Sequence, residues 1–163
     1  MKKYSRNEIY QITSKYAYSP LQFSASLFCT HYHLSEKKLF SIFQKAIIEW
    51  IISDEMLKLL KEKVNSDSTL QKGKKFFNRI KTYQKKRKEF HFSKKDTKYY
   101  ALDFSASNLS LKEYAKFHSM PLTLLTNTLE KAMDEKLLSD DDAISLRVKA
   151  ISDLENNSTY TDF

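Results

Sequence analysis

Twelve Lys and Arg side chains between residues 72 and 98 are the feature of this sequence with the clearest chemistry. Only Glu89 and Asp96 oppose them, so this segment carries +10, whereas the whole 163-residue chain carries +8 at pH 7. Positive charge concentrated in one segment attracts polyanions. The side chains of this segment that we expect to contact phosphate are those of Lys74, Lys75, Arg79, Lys81, Lys85, Lys86, Arg87, Lys88, Lys94, Lys95 and Lys98.

The scarce reactive side chains argue against catalysis and metal binding. Cys29 is the single cysteine of the sequence, which excludes an intramolecular disulfide and a Cys-rich zinc site. Gly73 is the single glycine, whereas phosphate-binding loops need several glycines at fixed spacing. No nucleophile is placed next to a general base in the sequence. We therefore expect no enzymatic activity, no cofactor and no bound metal.

The N-terminus begins with basic residues but has no apolar run behind them, which argues against a signal peptide. The longest apolar stretch, residues 46–52, is interrupted by Glu49 and is much shorter than a membrane-spanning helix. We therefore expect a cytoplasmic protein without a membrane partner.

An internal duplication becomes visible when the chain is shifted by 86 residues. Eight identities then fall within residues 28–64, including the pattern Lys-Ala-x-x-Glu-x-x-x-Ser-Asp at 45–54 and again at 131–140. We predict a first unit at 5–68, a basic connecting helix at 69–89, a second unit at 90–155 and a flexible tail at 156–163.

The elements predicted for each unit are three helices and a small hairpin. Phe90 and Phe92, and then Tyr100, Leu102 and Phe104, alternate with other residues as in a two-stranded hairpin. Lys94 and Lys95 would lie in its turn and act as a wing on DNA. Residues 9–18 are a weaker hairpin candidate. The predicted fold is mainly α with small β-hairpins: two tandem winged helix-turn-helix units that form an internal pseudo-dimer.

Two helices joined by a very short turn are predicted in both units, with the apolar spacing of a helix-turn-helix. This motif needs a small residue where the helices cross, an apolar residue in the turn and an apolar anchor in the second helix. The residues at these three positions are Cys29, Leu34 and Leu39 in the first unit and Ala115, Met120 and Leu125 in the second. His33 and Ser119 stand where such turns usually have glycine.

If the second helix of each unit enters the major groove of DNA, its first turns carry the base-reading side chains. The candidates are Ser35, Glu36, Lys37, Lys38, Ser41 and Lys45 in the first unit, and Thr123, Thr126, Asn127 and Lys131 in the second. Asn127 suits adenine, Glu36 can accept a hydrogen bond from cytosine, and the lysines suit guanine or phosphate. The two sets differ chemically, which predicts a DNA site with two dissimilar halves.

This arrangement resembles the internally duplicated winged helix-turn-helix proteins of mobile elements, and among them the TraN accessory proteins of Gram-positive conjugative plasmids. The resemblance covers about residues 5–155 and depends on the repeated Lys-Ala-x-x-Glu-x-x-x-Ser-Asp pattern and on chain size. It implies a protein that binds double-stranded DNA beside a transfer origin as a monomer, with a role in transfer-gene transcription or in assembly with other relaxosome or transfer proteins.

A basic helical module that binds or inhibits an acidic protein remains an alternative for the same charge distribution. Salt-sensitive binding to duplex DNA would distinguish the two hypotheses.

Overall fold

The computed structural model describes residues 3–67 and 73–158, apart from the side chains of residues 73, 74, 77 and 156–158. Regular secondary structure within these ranges is entirely α-helical. The helices are α1 (Arg6–Ala17), α2 (Ala25–His31), α3 (Glu36–Ile48), α4 (Asp54–Ser66), α5 (Gly73–Lys88), α6 (Lys94–Ala106), α7 (Leu111–Phe117), α8 (Leu122–Asp134) and α9 (Asp140–Ser158). None of the described helices has the length and apolarity needed to cross a membrane.

The helices divide into two compact units, unit 1 (Met1–Phe90) and unit 2 (His91–Phe163). The bounds of α2 and α3, each shifted by 86 residues, are those of α7 and α8. The starts of α4 and α9 differ by the same number. These helix bounds repeat at the same interval of 86 residues as the sequence pattern. Among the described residues of unit 2, no helix corresponds to α5, which packs on α3 and α4 within unit 1.

The prediction of small β-hairpins is wrong. The segment that was expected to form the second hairpin and its wing is α6, and the weaker candidate at 9–18 lies mostly in α1. Ser93 caps α6 by accepting a hydrogen bond from the Asp96 N–H. The buried residues of α6 have the i, i+3, i+4, i+7 spacing of a helix and are Thr97, Tyr100, Ala101 and Phe104. This spacing favours a helix over a hairpin, because a helix buries these four side chains on one continuous face.

The structure also gives the bounds of the helices that correspond to the other predicted segments. Lys94 and Lys95 lie in the first turn of α6 instead of a hairpin tip. The predicted basic helix at 69–89 corresponds to α5 from Gly73 onward, since residues 68–72 lie outside the described part of the chain. The predicted tail begins within α9, which continues to Ser158, and residues 159–163 are not described.

Aromatic side chains fill the core of unit 1 and join four of its helices. The Tyr16 ring of α1 lies 5.4 Å from the Phe28 ring and 5.1 Å from the Phe43 ring, measured between centroids. Phe76 brings α5 into this cluster, with its ring centroid 4.9 Å from that of Phe40. Each such pair contributes about 0.5–1.5 kcal/mol beyond the burial of its area. The basic helix is therefore part of a folded core.

In each unit a lysine of the fourth helix binds the segment between the first two helices. Lys63 is 3% exposed, and its ammonium donates to the carbonyl oxygens of Ser19 and Pro20 and to the Ser19 hydroxyl. Lys149, which is 86 residues later, donates to the carbonyl oxygens of Phe104 and Ser107 and to the Ser107 hydroxyl. Burial lowers the pKa of both lysines. Each ammonium group thus binds several oxygen atoms at and just after the C-terminal end of the first helix of its unit.

An aspartate that binds the N-terminus of the second helix also repeats after 86 residues. The Asp67 carboxylate accepts a hydrogen bond of 2.6 Å from the Ala25 N–H at the start of α2. Its counterpart Asp153 accepts one of 2.9 Å from the Leu111 N–H at the start of α7. Asp67 also accepts from the Tyr16 hydroxyl, and burial together with this carboxylate raises the pKa of Tyr16. In both units, therefore, an aspartate within or directly after the fourth helix binds the N-terminus of the second helix.

Four helix ends adopt a left-handed conformation without glycine. These residues have φ between 51° and 55° and are His33, Trp50, Ser119 and Lys136. They form two pairs separated by 86 residues. After α2, the Leu34 N–H donates to the Cys29 carbonyl, and after α7 the Met120 N–H donates to the Ala115 carbonyl. This is the Schellman pattern, in which glycine is the favoured residue.

Replacement of Lys63 by Met should lower the free energy of unfolding of unit 1 by about 2–3 kcal/mol, because three part-buried oxygen atoms lose a charged donor. Urea denaturation followed by Trp50 fluorescence measures this value. Lys58→Met on the exposed side of α4 is the matched control and should change stability by less than about 0.5 kcal/mol. Equal effects of the two substitutions would contradict the role assigned to Lys63.

Replacement of His33 by Gly should raise the free energy of unfolding by about 0.5–1 kcal/mol, because a side chain at positive φ carries a steric cost that glycine avoids. The control is His31→Gly at the helical end of α2, which should instead destabilise by about 1 kcal/mol. Urea denaturation tests both, and a loss of stability in the first variant would show that His33 is not strained.

Candidate nucleic-acid interface

Helices α2 and α3 of unit 1 are joined by the four residues 32–35, and α7 and α8 of unit 2 by the four residues 118–121. The Ser35 hydroxyl caps α3 by accepting a hydrogen bond from the Lys38 N–H. In unit 2 Pro121 occupies the cap position without a side-chain hydrogen bond. The apolar anchors Leu39 and Leu125 are completely buried. Both units thus contain two helices connected by a short, fixed turn.

The second helix of unit 1 has one exposed face that contains three of the residues predicted to contact DNA bases. Lys37, Ser41 and Lys45 are exposed and follow one another at intervals of four residues. The Lys45 ammonium lies 4.0 Å from a Glu49 carboxylate oxygen. This face lies opposite the buried face formed by Leu39, Ile42, Phe43, Ala46 and Ile47.

The other three readers predicted in unit 1 are placed differently. Ser35 uses its hydroxyl as the helix cap. The Lys38 ammonium lies 5.0 Å from the centroid of the Tyr4 ring, on the side of α1. Glu36 is partly buried at the first turn. These residues border the exposed face of α3 without belonging to its centre.

A groove of about 540 Å³ separates the exposed face of α3 from α5. Lys37, Ser41 and Gln44 of α3 line one side, while Lys75 and Arg79 of α5 line the other. The floor consists of aromatic side chains, namely Phe40, Phe76 and Tyr83. The groove therefore combines hydrogen-bonding groups on one helix with cations on a second helix.

Gln44 is a groove residue that sequence reasoning missed. It follows Lys37 by seven residues and Ser41 by three, which places it on the same helical face. Its side-chain amide can pair with adenine in the major groove. The predicted set already extended to Lys45, and the spacing of Gln44 from Lys37 and Ser41 is the signal that would have included it.

The cations of α5 fall into two rows. Helical spacing places Lys75, Arg79 and Lys86 along the edge near α3, whereas the opposite edge carries Lys81, Lys85 and Lys88. All six are exposed. The Lys74 side chain lies outside the described residues.

Arg87 is predicted to contact phosphate but is 3% exposed. Its guanidinium donates to the carbonyl oxygens of Ile47 and Ile52 at 2.8 Å and lies 3.1 Å from an Asp54 oxygen. The Arg87 carbon Cζ is 3.5 Å from the centroid of the Trp50 ring, and the Trp50 indole N–H donates to the Arg87 carbonyl at 2.7 Å. Arg87 therefore holds α5 on α3 and is not part of the exposed surface.

Charge differs sharply between the two units. Unit 1 contains 19 Lys and Arg against eight Asp and Glu, a formal net charge of +11. Unit 2 contains nine against twelve, a net charge of −3. Lys94 also lies 3.5 Å from a Glu135 carboxylate, while Lys95 and Lys98 are exposed on α6. The attraction for polyanions therefore belongs mainly to unit 1.

The predicted readers of unit 2 lie on α8. Thr123 and Asn127 are exposed at the positions that correspond to Lys37 and Ser41 of α3. The Thr126 hydroxyl donates to the Thr123 carbonyl, and the Lys131 ammonium donates to the Phe92 carbonyl. Thr123 and Asn127 are thus the two predicted readers whose side chains are exposed on this helix.

A metal centre is not evident in the part of the chain that the structure describes. These residues contain no group of three or more His, Cys, Asp or Glu side chains that could hold a metal ion.

Comparison with protein-family models, with curated proteins and with solved structures produces no significant match for this chain.

Proposed function

We propose that this protein binds double-stranded DNA in a sequence-dependent manner, with α3 of unit 1 as the recognition helix. The observation that carries the proposal is the groove in which the exposed face of α3 meets the basic edge of α5. Reading groups and phosphate-binding groups stand there on neighbouring helices of a unit whose net charge is +11.

In the proposed mechanism, residues of α3 contact the bases and residues of α5 contact the phosphates. An α-helix fits the major groove of B-DNA, so the exposed face of α3 can approach base edges there. Gln44 and Ser41 supply neutral hydrogen-bonding groups, and Lys37 supplies a cation for guanine or phosphate. Lys75 and Arg79 flank the same groove and contact the phosphate backbone, which fixes the register of α3 without reading sequence.

Unit 2 contributes less to affinity in this proposal, because its net charge is −3. Thr123 and Asn127 on α8 provide the second, chemically different half of the interface. The target is therefore an asymmetric site rather than a palindrome, and one chain acting as a monomer is sufficient to bind it.

We further propose an accessory or regulatory role in a mobile element, in the cytoplasm, at a conjugative transfer origin or a transfer-gene promoter. The support for this assignment is the repeated Lys-Ala-x-x-Glu-x-x-x-Ser-Asp pattern together with the chain size. Other relaxosome or transfer proteins are the corresponding partners. Nuclease footprinting on DNA that flanks the gene tests this assignment directly.

The salt dependence of binding to a mixed-sequence duplex tests the phosphate contacts. Wild-type affinity should fall by about 10³-fold or more between 50 and 200 mM salt, given six or more phosphate contacts. The double variant Lys75→Ala/Arg79→Ala should lower the slope of log K against log salt by about 2.

The matched control for this measurement is Lys81→Ala/Lys85→Ala, which removes the same number of charges from the opposite edge of α5. It should change the slope by less than half as much. Equal slopes for the two double variants would place the DNA elsewhere on unit 1. No binding to duplex DNA at low salt, together with binding to an acidic protein, would favour the alternative function.

Base reading is tested on the preferred site selected from a random duplex pool. Gln44→Ala should reduce discrimination at one base pair by about 1–3 kcal/mol, because a bidentate amide contact is lost. Asn127→Ala should do so at a different base pair in the other half of the site. The control Gln11→Ala removes an exposed amide from α1 and should leave the preferences unchanged. Preferences unaltered in all three variants would contradict the assignment of the reading helices.

A further inference from the structure

Helix α9 of unit 2 has an exposed apolar face that the core does not use. Ile144, Val148, Ile151 and Leu154 are 58%, 63%, 54% and 63% exposed. The first three have the i, i+4, i+7 spacing of one helical stripe, and Leu154 continues it at the edge. The core of unit 2 uses the other side of the helix, where Leu146 is 1% exposed. Apolar side chains contiguous on one helical face are typical of an interaction surface.

The repeat shows that this stripe is not a requirement of the fold. The positions that correspond to Ile144, Val148 and Ile151 in α4 carry polar side chains, namely Lys58, Glu62 and Asn65. Those three residues line a groove of about 440 Å³ beside α5, together with Gln84. The same helical face thus borders a packed basic helix in unit 1. In unit 2 it is apolar, and no described helix of that unit occupies the corresponding place.

Charge determines the kind of helix that fits this face. Asp140 and Asp141 lie at the two edges of the stripe near its N-terminal end, and Glu155 continues it at the other end. Arg147 lies at one edge midway along the stripe, whereas Asp142, Lys149 and Asp153 lie away from it, so three acidic side chains and one basic side chain border the apolar face. A second α9 would therefore place acidic groups against acidic groups, whether the two helices ran parallel or antiparallel. Like charges in contact disfavour such pairing.

We propose that the outer face of α9 binds an amphipathic helix of a partner protein whose apolar stripe is flanked by Lys and Arg. The chemistry of α5 illustrates this partner. Its 16 residues contain eight Lys and Arg and no Asp or Glu, and one apolar stripe packs against its neighbours. Insertion of a helix into an apolar groove is a common mode of recognition. The proposal does not depend on DNA binding by unit 1.

The experiment measures fluorescence anisotropy of a labelled synthetic peptide with the sequence of residues 73–90, titrated with the full-length protein. The wild-type protein should bind this peptide more tightly than a peptide in which each Lys and Arg is replaced by Glu. The triple variant Ile144→Lys/Val148→Glu/Ile151→Asn introduces the side chains of unit 1. It should weaken binding by about tenfold or more, because the apolar contact area is lost.

The matched control is Phe117→His, which also replaces an exposed apolar residue of unit 2 by its unit 1 counterpart, here away from α9. It should leave peptide affinity unchanged. Asp141→Lys should lower the affinity for the basic peptide and raise the affinity for the acidic peptide. Circular dichroism verifies that each variant is folded.

Three outcomes would overturn the proposal. The first is equal binding of the basic and acidic peptides. The second is unchanged peptide binding by the triple variant, which would place the peptide on another surface. The third is a wild-type dimer in sedimentation analysis that the triple variant abolishes, which would identify a second copy as the occupant. DNA affinity of the triple variant tests the proposed function separately and should remain at the wild-type value, because the variant leaves the net charge and the proposed DNA-contacting residues unchanged.

Discussion

The burial of the Arg87 guanidinium is the interaction on which the candidate interface depends. It satisfies two carbonyl groups near the end of α3, pairs with Asp54 and stacks on Trp50. A cation among neighbouring lysines would otherwise remain in water, since burial of an unpaired charge is costly. Because these partners are arranged around it, a strongly basic helix can pack on the core. Two of its remaining cations, Lys75 and Arg79, then lie beside the exposed face of α3.

The two units share their interior contacts but differ in the residues on their surfaces. Two pairs of residues repeat with their partners, namely the lysines Lys63 and Lys149 and the helix-binding aspartates Asp67 and Asp153. The exposed residues have diverged, since unit 1 is basic and unit 2 is acidic. Phe40, which contacts α5 through Phe76, is replaced by Thr126 in unit 2. Units with the same interior contacts and different surfaces are suited to bind different partners.

The expected hairpins illustrate where inference from local pattern failed. Phe90 and Phe92 alternate as in a strand, but Thr97, Tyr100 and Phe104 also have helical spacing, and the cap at Ser93 favours the helix. Short apolar runs satisfy both periods, so burial against the rest of the unit decides between them. The absence of glycine from the turns, by contrast, did not prevent them. His33 and Ser119 adopt the left-handed conformation at a steric cost that the surrounding packing offsets.

The sequence alone determined the 86-residue repeat, the positions of the helix pairs and the concentration of positive charge, because these depend on spacing and composition along the chain. Tertiary structure decided which cations are exposed. Arg87 and Arg79 belong to the same basic segment, yet one is enclosed by α3 and α4 whereas the other lines the groove. Their different positions around α5 determine this outcome, and the contacts of α5 with its neighbours determine which side is buried. The same contacts brought Gln44 beside Lys75 and Arg79, a proximity that spacing within one helix does not reveal.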